Sequence, residues 1–203
     1  MIFIHFHMTT LLLAVFHIVL GVLVLVVAKA LLNVLTPYRV DKELTVRDNP
    51  ALGLALTGYL AGVVILYIAA SRGAPLPVEA GASALVRRIL EDLAYVFAGI
   101  LGMNVSRVFV DRFLLPRASI YREIIEDRNP GAGAVEFGTF VASAIITAGA
   151  IGPGNGGPLP ALAFFLMGQV VLAVFAWLYQ FVAGYDVRAR STRTTPRPAL
   201  PSA

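Results

Sequence analysis

Long apolar runs separated by short polar segments dominate the chain. Five runs are long enough to cross a bilayer, since a membrane-spanning helix needs about 20 mostly apolar residues. They cover residues 8–34, 50–70, 90–114, 131–151 and 160–183. The third run is the weakest, because four charged residues crowd its start at 87–92 and Asn104 and Arg107 interrupt it. The pattern predicts an all-α polytopic membrane bundle of five transmembrane helices.

One helix-start signal occurs twice, 80 positions apart. Its members are Glu43, Asn49, Pro50, Gly53 and Gly58 in the first copy, and Glu123, Asn129, Pro130, Gly133 and Gly138 in the second. Asparagine is a strong helix N-cap, and proline suits the first helical position, where no N–H donor is needed. The recurrence predicts a duplicated two-helix unit, followed by a terminal half-repeat.

The duplication sets the expected organisation of the chain. We expect one membrane domain at 1–184, with repeat one at about 8–71, repeat two at about 84–152 and a fifth helix at about 160–184. Because each unit crosses the membrane twice, both copies enter it in the same sense, which makes a parallel repeat. The link at 117–128 mixes isoleucines with charges and predicts a short helix that either lies on the membrane surface or extends the third crossing. The tail at 185–203 lacks apolar content and is expected to be disordered.

Composition and charge support the membrane class and suggest an orientation. Charged residues make up 14% of 203 residues and mean hydropathy is +0.80, whereas soluble domains average about a quarter charged. Thirteen basic residues fall on one side of the predicted topology and three, Arg72, Arg87 and Arg88, on the other. Because cytoplasmic loops are enriched in lysine and arginine, the N-terminus is predicted outside and the C-terminus in the cytoplasm. The net charge of +4 then indicates attraction to anionic lipid rather than nucleic-acid binding.

The residue types argue against an enzyme. The chain contains no cysteine, which excludes disulfides and thiolate chemistry. It also lacks the nucleophile-elbow, zinc-protease and phosphate-loop motifs. We therefore expect no catalytic residue, no metal and no cofactor.

Two stretches of the chain carry a family resemblance: TPYRVDKELTVRDNPALGLALTGYLAG at 36–62 and EIIEDRNPGAGAVEFG at 123–138. The sequence resembles the bacterial inner-membrane family known as domain of unknown function 350, the YjfL-like proteins. The resemblance implies a protein of the bacterial cytoplasmic membrane built of two-helix repeats. It also implies that the gene lies beside membrane-stress, polyamine-related or ion-channel genes. It transfers no catalytic residue.

Polar residues within the apolar runs are the candidate functional positions. Glu136 lies seven positions past Asn129, about 10 Å into the membrane, and a charge there costs about 3 kcal/mol unless it faces protein or water. Thr139, Ser143 and Thr147 follow it at helical spacing, so the stripe is either a permeation path or a hydrogen-bonded seam between helices. Arg107 is a candidate partner for either Asp111 or Glu136.

Other candidate positions have equally plain structural interpretations. A second stripe holds Asn104, Arg107 and Asp111. His17 is either a core hydrogen-bonding residue or a proton relay. The pairs at 87–92 are interpreted as a solvated start of the helix, or else as a charged vestibule. Small residues for close helix packing, either within the chain or between subunits, are Gly58, Gly62 and Gly138. A charged cytoplasmic motif, either solvated loops or a docking surface, comprises Glu43, Asp48, Glu123 and Asp127.

Two functions are compatible with these features. In the first, subunits form a homo-oligomer around a polar path for a small cation or solute, and Glu136 tunes selectivity. In the second, the protein is a membrane scaffold that recruits a cytoplasmic protein partner through its charged loops, for example in a membrane-stress response. The polar stripe favours the first slightly.

Overall fold

The computed structural model describes residues 2–72, 81–110, 120–150 and 157–183. These residues form helices joined by short turns. The helices are α1 (Ile2–Leu35), α2 (Val40–Thr45), α3 (Pro50–Ser71), α4 (Ala82–Phe109), α5 (Ile120–Ile125), α6 (Pro130–Ala150) and α7 (Pro158–Ala183). Within these ranges five helices, α1, α3, α4, α6 and α7, are long and apolar enough to cross a membrane. The fold is all-α, and the chain is a multi-pass membrane protein.

The helix bounds differ from the prediction at two places. The third crossing begins at Ala82 rather than 90, because the charged residues at 87–92 pair with one another along the helix and continue it. The segment between α1 and α3, for which the sequence pattern predicted no helix, contains α2. The matching short helix predicted within 117–128 is α5. The tail at 185–203 and Asp111 lie outside the described residues.

The centre of the bundle is the contact between α3 and α6. A Cβ atom added to Gly133 would collide with the Ala51 carbonyl oxygen, and one added to Gly58 would collide with the Phe137 Cα. Farther along, an added Cβ at Gly62 would lie 3.2 Å from the Ala144 Cβ. Residue numbers therefore increase together along the two helices, so α3 and α6 run parallel. Glycines at the contact let their backbones approach closely.

Helices α1 and α4 pack against this pair in the opposite direction. The buried Tyr59 side chain on α3 connects its neighbours: its hydroxyl donates to the Ala28 carbonyl of α1 at 3.0 Å, and its ring meets Phe140 of α6 edge-on at 5.2 Å. On the α4 side, Leu66 fills the space beside Gly99. These contacts make α3 the most enclosed of the long helices.

Helix α7 lies at the periphery of the bundle. An added Cβ at Gly168 would meet Ile146 of α6, and Phe165 lies against Gly102 of α4. Most of its large apolar side chains are exposed, as are those of the described part of α1. Exposed apolar surfaces of this kind are expected to face lipid, because the bilayer core around a membrane-spanning helix contains no water.

The two asparagine caps begin α3 and α6 with similar local geometry. The Asn49 side chain accepts from the Leu52 N–H at 3.1 Å, and the Asn129 side chain accepts from the Gly131 N–H at 2.9 Å. The residue before each asparagine has a left-handed backbone, with φ of 48° at Asp48 and 50° at Arg128. The end of the bundle that contains α2, α5 and both caps is called the cap end below.

Candidate functional site

An ion pair buried between α4 and α6 is the main feature of the site. Arg107 Nε lies 2.5 Å from Glu136 Oε1, and the two side chains are 17% and 3% exposed. Glu136 sits one turn and a half into α6, on the face that also buries Gly133 and Phe140. Removing one partner of such a pair typically costs about 3–5 kcal/mol, because the other charge is left buried and uncompensated. Arg107 and Glu136 therefore hold the two helices together at the cap end.

Tyr38, between α1 and α2, extends this pair toward the cap end. Arg107 Nη2 donates to the Tyr38 hydroxyl at 3.4 Å, and the Tyr38 ring lies 5.8 Å from the ring of Tyr121 on α5. Burial raises the pKa of Tyr38; Arg107 lowers it and Glu136 raises it. Tyr38 was not among the site residues predicted from the sequence. The signal was weak because the residue lies in a polar turn and meets Arg107 only through the fold.

The polar stripe on α6 continues from Glu136 into the membrane. Ser143 and Thr147 are buried, and Thr147 donates its hydroxyl to the Ser143 carbonyl at 2.7 Å. The Ser143 Oγ is also buried and has no hydrogen-bond partner within the described part of the chain. Thr139 differs, because it lies at the edge of the face, is only partly buried and donates to the Val135 carbonyl of its own helix. The buried line is therefore Glu136, Ser143 and Thr147.

Asn104 lies on α4 and has one hydrogen-bond partner on its own helix and one contact on α3. Its side-chain amide donates to the Ile100 carbonyl one turn earlier at 2.8 Å, and the side chain also interacts with the Tyr59 hydroxyl. This contact places Asn104 beside the α3–α6 core.

His17 is remote from the Glu136 pair. Its Nδ1 lies 2.8 Å from the Leu13 carbonyl oxygen, and its backbone carbonyl accepts from the Tyr67 hydroxyl at 2.9 Å. Tyr67 is near the end of α3, whereas Glu136 is near the start of α6, and these two helices run parallel. The fold therefore does not bring His17 together with the other polar residues of the predicted path.

The charged motif at the cap end is built into the helix starts. Glu43 is buried, which corrects the interpretation of a solvated loop, and Arg47 Nη1 donates to its carboxylate at 2.9 Å. The carbonyl oxygens of Glu43 and Glu123 accept from the backbone N–H groups of their asparagines. Asp127 is exposed. The two acidic positions thus take part in the caps.

The two caps differ in where the asparagine amide donates. Asn129 Nδ2 donates to Glu123 Oε2 at 2.9 Å, within its own segment. Asn49 is buried, and its Nδ2 donates to the Ile124 carbonyl of α5 at 2.8 Å. Asn49 therefore connects the two similar segments of the chain.

The predicted packing glycines also behave differently from one another. Gly58 and Gly62 lie in contacts within the chain. Gly138 does not: a Cβ added there would have no described atom within 4 Å, so among the described residues it makes no close helix contact within the chain. The helical spacing is the same, but the face that carries Gly138 is turned outward.

The described residues contain no group of three or more histidine, aspartate or glutamate side chains placed to hold a metal ion. What the site offers instead is a buried charge pair with hydroxyl groups along one helix. This arrangement is suited to binding or passing a charged or polar species, or to joining helices.

Comparison with curated proteins and with solved structures found no match. A family model described as Domain of Unknown Function (DUF350) matches residues 6–151, which is well over half of the chain and spans α1 to α6. The buried ion pair, both caps and the α3–α6 core all fall within the matched region. The chain therefore belongs to the Domain of Unknown Function (DUF350) family.

Proposed function

We propose that the protein is a non-enzymatic conduit that passes a small cation through the interior of its helix bundle. The observation that carries this proposal is the buried polar line of Glu136, Ser143 and Thr147 on α6. These side chains follow one helix face over about 16 Å at 1.5 Å per residue. Burying polar side chains inside an apolar bundle is costly unless each has a partner; Glu136 and Thr147 have one within the chain, and the Ser143 hydroxyl has none among the described residues.

The Ser143 hydroxyl, which has no hydrogen-bond partner among the described residues, also supports a path for polar species. Buried polar atoms in folded proteins almost always have a partner, and exceptions indicate a water molecule or an ion. The Ser143 Oγ is fully buried without a described partner. A water molecule or a permeating cation beside α6 would satisfy it.

The Arg107–Glu136 pair acts as the closing element of this path. The guanidinium satisfies the Glu136 carboxylate in the present conformation. A buried carboxylate requires a positive partner, so a cation that enters from the cap end and replaces Arg107 keeps Glu136 satisfied. Exchange between the arginine and the permeating cation then opens and closes the path.

The setting of the protein is proposed on the same grounds. The excess of basic residues at the cap end favours a cytoplasmic location for that end in a bacterial inner membrane, with the C-terminus inside and the N-terminus outside. Homo-oligomerisation and a cytoplasmic protein partner remain predictions. Because the polar line lies within one chain, conduction does not require a path between subunits.

Ion flux into proteoliposomes containing the purified protein tests the proposal, with K⁺, Na⁺ and H⁺ measured separately. Glu136→Gln leaves the Arg107 charge facing the path, so we expect cation flux to fall at least about tenfold, the scale on which a charged cleft changes ion entry. Thr139→Val is the matched control, because Thr139 lies on the same helix and bonds its own backbone. It should leave flux unchanged.

A second variant separates conduction from folding. Glu136→Gln alone removes the carboxylate that the buried Arg107 guanidinium faces, whereas Arg107→Gln combined with Glu136→Gln removes both charges and should retain the native mass. We expect this double variant to conduct with reduced preference for cations over anions. Absence of flux for every ion in the wild-type protein refutes the conduit, as does flux that neither variant changes. Loss of capture of a cytoplasmic partner on charge reversal at Asp127, with no flux, would support the scaffold instead.

A further inference from the structure

The side-chain amide of Gln169 on α7 is buried and has no hydrogen-bond partner among the described residues. This holds for both its Nε2 and its Oε1 atom. The large side chains around it on α7 are exposed instead: Leu166, Met167 and Val170. Gln169 therefore turns its polar end toward the bundle. Buried polar groups without a partner are rare in folded proteins, and such an exception indicates a water molecule or another ligand.

Two contacts of α7 show which helices lie beside the Gln169 amide. The ring of Phe165, one turn before Gln169, lies 3.3 Å from a Cβ added to Gly102 of α4. A Cβ added to Gly168, the residue next to Gln169, would meet Ile146 of α6. Gln169 thus lies on the part of α7 that packs against both α4 and α6.

Helices α4 and α6 each place a buried hydroxyl at about the same height. Helix α7 returns across the membrane after α6, so it runs in the same direction as α4. Ser106 lies four residues beyond the α4 glycine that Phe165 contacts, and Gln169 lies four residues beyond Phe165. On α6, which runs the opposite way, Ser143 lies one turn from the contact with Gly168 and toward the cap end. The two serines are 1% and 0% exposed.

Three helices therefore bring buried polar side chains to within about one helical turn, about 5.4 Å, of one another in height. We name this group the mid-membrane cluster: Ser106, Ser143 and Gln169. The Ser143 Oγ has no described partner. Ser106 donates to the Gly102 carbonyl at 2.9 Å, so its oxygen can still accept a hydrogen bond.

The hydrogen-bonding needs of the cluster match water better than a bare ion. The Gln169 Nε2 can only donate and its Oε1 can only accept, whereas the Ser143 hydroxyl can do both. A bare metal cation binds oxygen atoms and would leave the amide N–H groups without an acceptor. Water both donates and accepts, and a buried water molecule typically makes about three hydrogen bonds.

We propose that α4, α6 and α7 enclose a water-filled site near the middle of the path, and that Gln169 binds this water from the α7 side. The inference rests on the proposed conduit function and states what the cation meets beyond Glu136: it passes the mid-membrane cluster with water still bound to it. Ser143 belongs both to this cluster and to the buried polar line on α6. The family match ends at residue 151, before α7, so the α7 wall of the site lies outside the matched region.

Cysteine labelling tests whether water reaches the cluster, and the chain has no cysteine of its own to interfere. Gln169→Cys and Ser143→Cys are made singly in the full chain, reconstituted in proteoliposomes and treated with aminoethyl methanethiosulfonate, which reacts with a thiolate in water. The matched controls are Val170→Cys on the exposed side of α7 and Met103→Cys in the apolar core. Apolar surroundings raise the pKa of a thiol, and each unit reduces the thiolate about tenfold. We therefore expect both test positions to react at least about tenfold faster than both controls.

Gln169→Leu provides a second measurement that needs no introduced thiol. Leucine is similar in size to glutamine but cannot bind water. If water partners the amide, this variant should lower cation flux and should not raise the thermal midpoint. In a dry site the variant should raise the midpoint, because it removes a buried amide that has no partner. Val170→Leu is the matched control and should change neither quantity.

The outcomes separate this inference from the conduit itself. Labelling of Gln169→Cys no faster than of Val170→Cys overturns the water-filled site, and so does a raised thermal midpoint for Gln169→Leu. Neither result bears on the conduit, which the Glu136→Gln variant tests. Fast labelling at both test positions without any flux from the wild-type protein supports the water-filled site. It refutes the conduit, and with it the passage of a cation through the cluster.

Discussion

Alanine at Gly58 places a methyl group where α6 already lies. The added Cβ would collide with the Phe137 backbone, which moves only if the two helices separate. Because the obstacle is backbone rather than a flexible side chain, overpacking here falls in the upper part of its usual range, about 2–3 kcal/mol. Alanine recovers about 1 kcal/mol through its better helix propensity. The net expectation is a loss of about 1–2 kcal/mol, the difference of those two contributions.

Gly138 provides the matched control, since it holds the equivalent place in the second copy of the motif. A Cβ there has no described atom within 4 Å, so Gly138→Ala gains helix propensity at no packing cost. We expect it to be neutral or stabilising by up to about 1 kcal/mol. Gly62→Ala should fall between the two, because its added Cβ would lie 2.6 Å from the Met103 sulfur, and a flexible thioether adapts more easily than a backbone.

Thermal unfolding in detergent, followed by the helical circular dichroism signal and by native mass, measures these differences. A loss of about 1–2 kcal/mol corresponds to about 2–8 °C in the midpoint for a chain of this size. We expect Gly58→Ala to lower the midpoint by that amount and Gly138→Ala to leave or raise it. If both variants lower it equally, the α3–α6 contact is not the one described. If neither changes it, the close approach at Gly58 does not contribute to stability.

Two further predictions concern the cap end. Asn49→Ala should destabilise the protein more than Asn129→Ala, since both remove a cap of about 1 kcal/mol but only the first leaves the Ile124 carbonyl without its donor, at about 1–3 kcal/mol more. Equal midpoint losses in urea unfolding would contradict the link through Asn49. Burial raises the pKa of Tyr38, so the folded state holds this proton more tightly than the unfolded state does. The resulting stability is complete below the unfolded pKa of about 10 and is lost as pH rises through the folded pKa. Tyr38→Phe should therefore flatten the fall in thermal midpoint above about pH 10, whereas an unchanged slope would contradict the shift.

The scaffold hypothesis loses part of its basis in the charged motif. Glu43 and Glu123 were candidates for binding a partner, but Glu43 is buried with its carboxylate beside Arg47, and the Glu123 carboxylate accepts from the Asn129 side-chain amide. Charges tied into a helix start are less available to a partner than solvated ones. Asp127, which is exposed, is the member of the motif that suits charge reversal.

Local chemistry determined much of the fold. Apolar length predicts the crossing helices, because a bilayer requires about 20 apolar residues from each. The Asn49-Pro50 and Asn129-Pro130 pairs predict where α3 and α6 begin, because capping depends on a few neighbouring backbone groups. The same sequence pattern missed α2, although its counterpart α5 was expected. Both helices have six residues, too few to show helical periodicity, and only the α5 segment carries several isoleucines among its charges.

The tertiary structure decided which of several residues with similar sequence positions face the interior of the bundle. Gly58 and Gly138 share one place in the motif, and Glu91 and Asp92 share one kind of ion pair, yet one member of each faces the bundle and the other does not. The sequence left two partners open for Arg107, and the packing of α4 against α6 brings it to Glu136. Sequence specifies helices through contacts a few residues long. Which face of each helix is buried depends on how distant helices pack, and that packing selects the residues that make up the site.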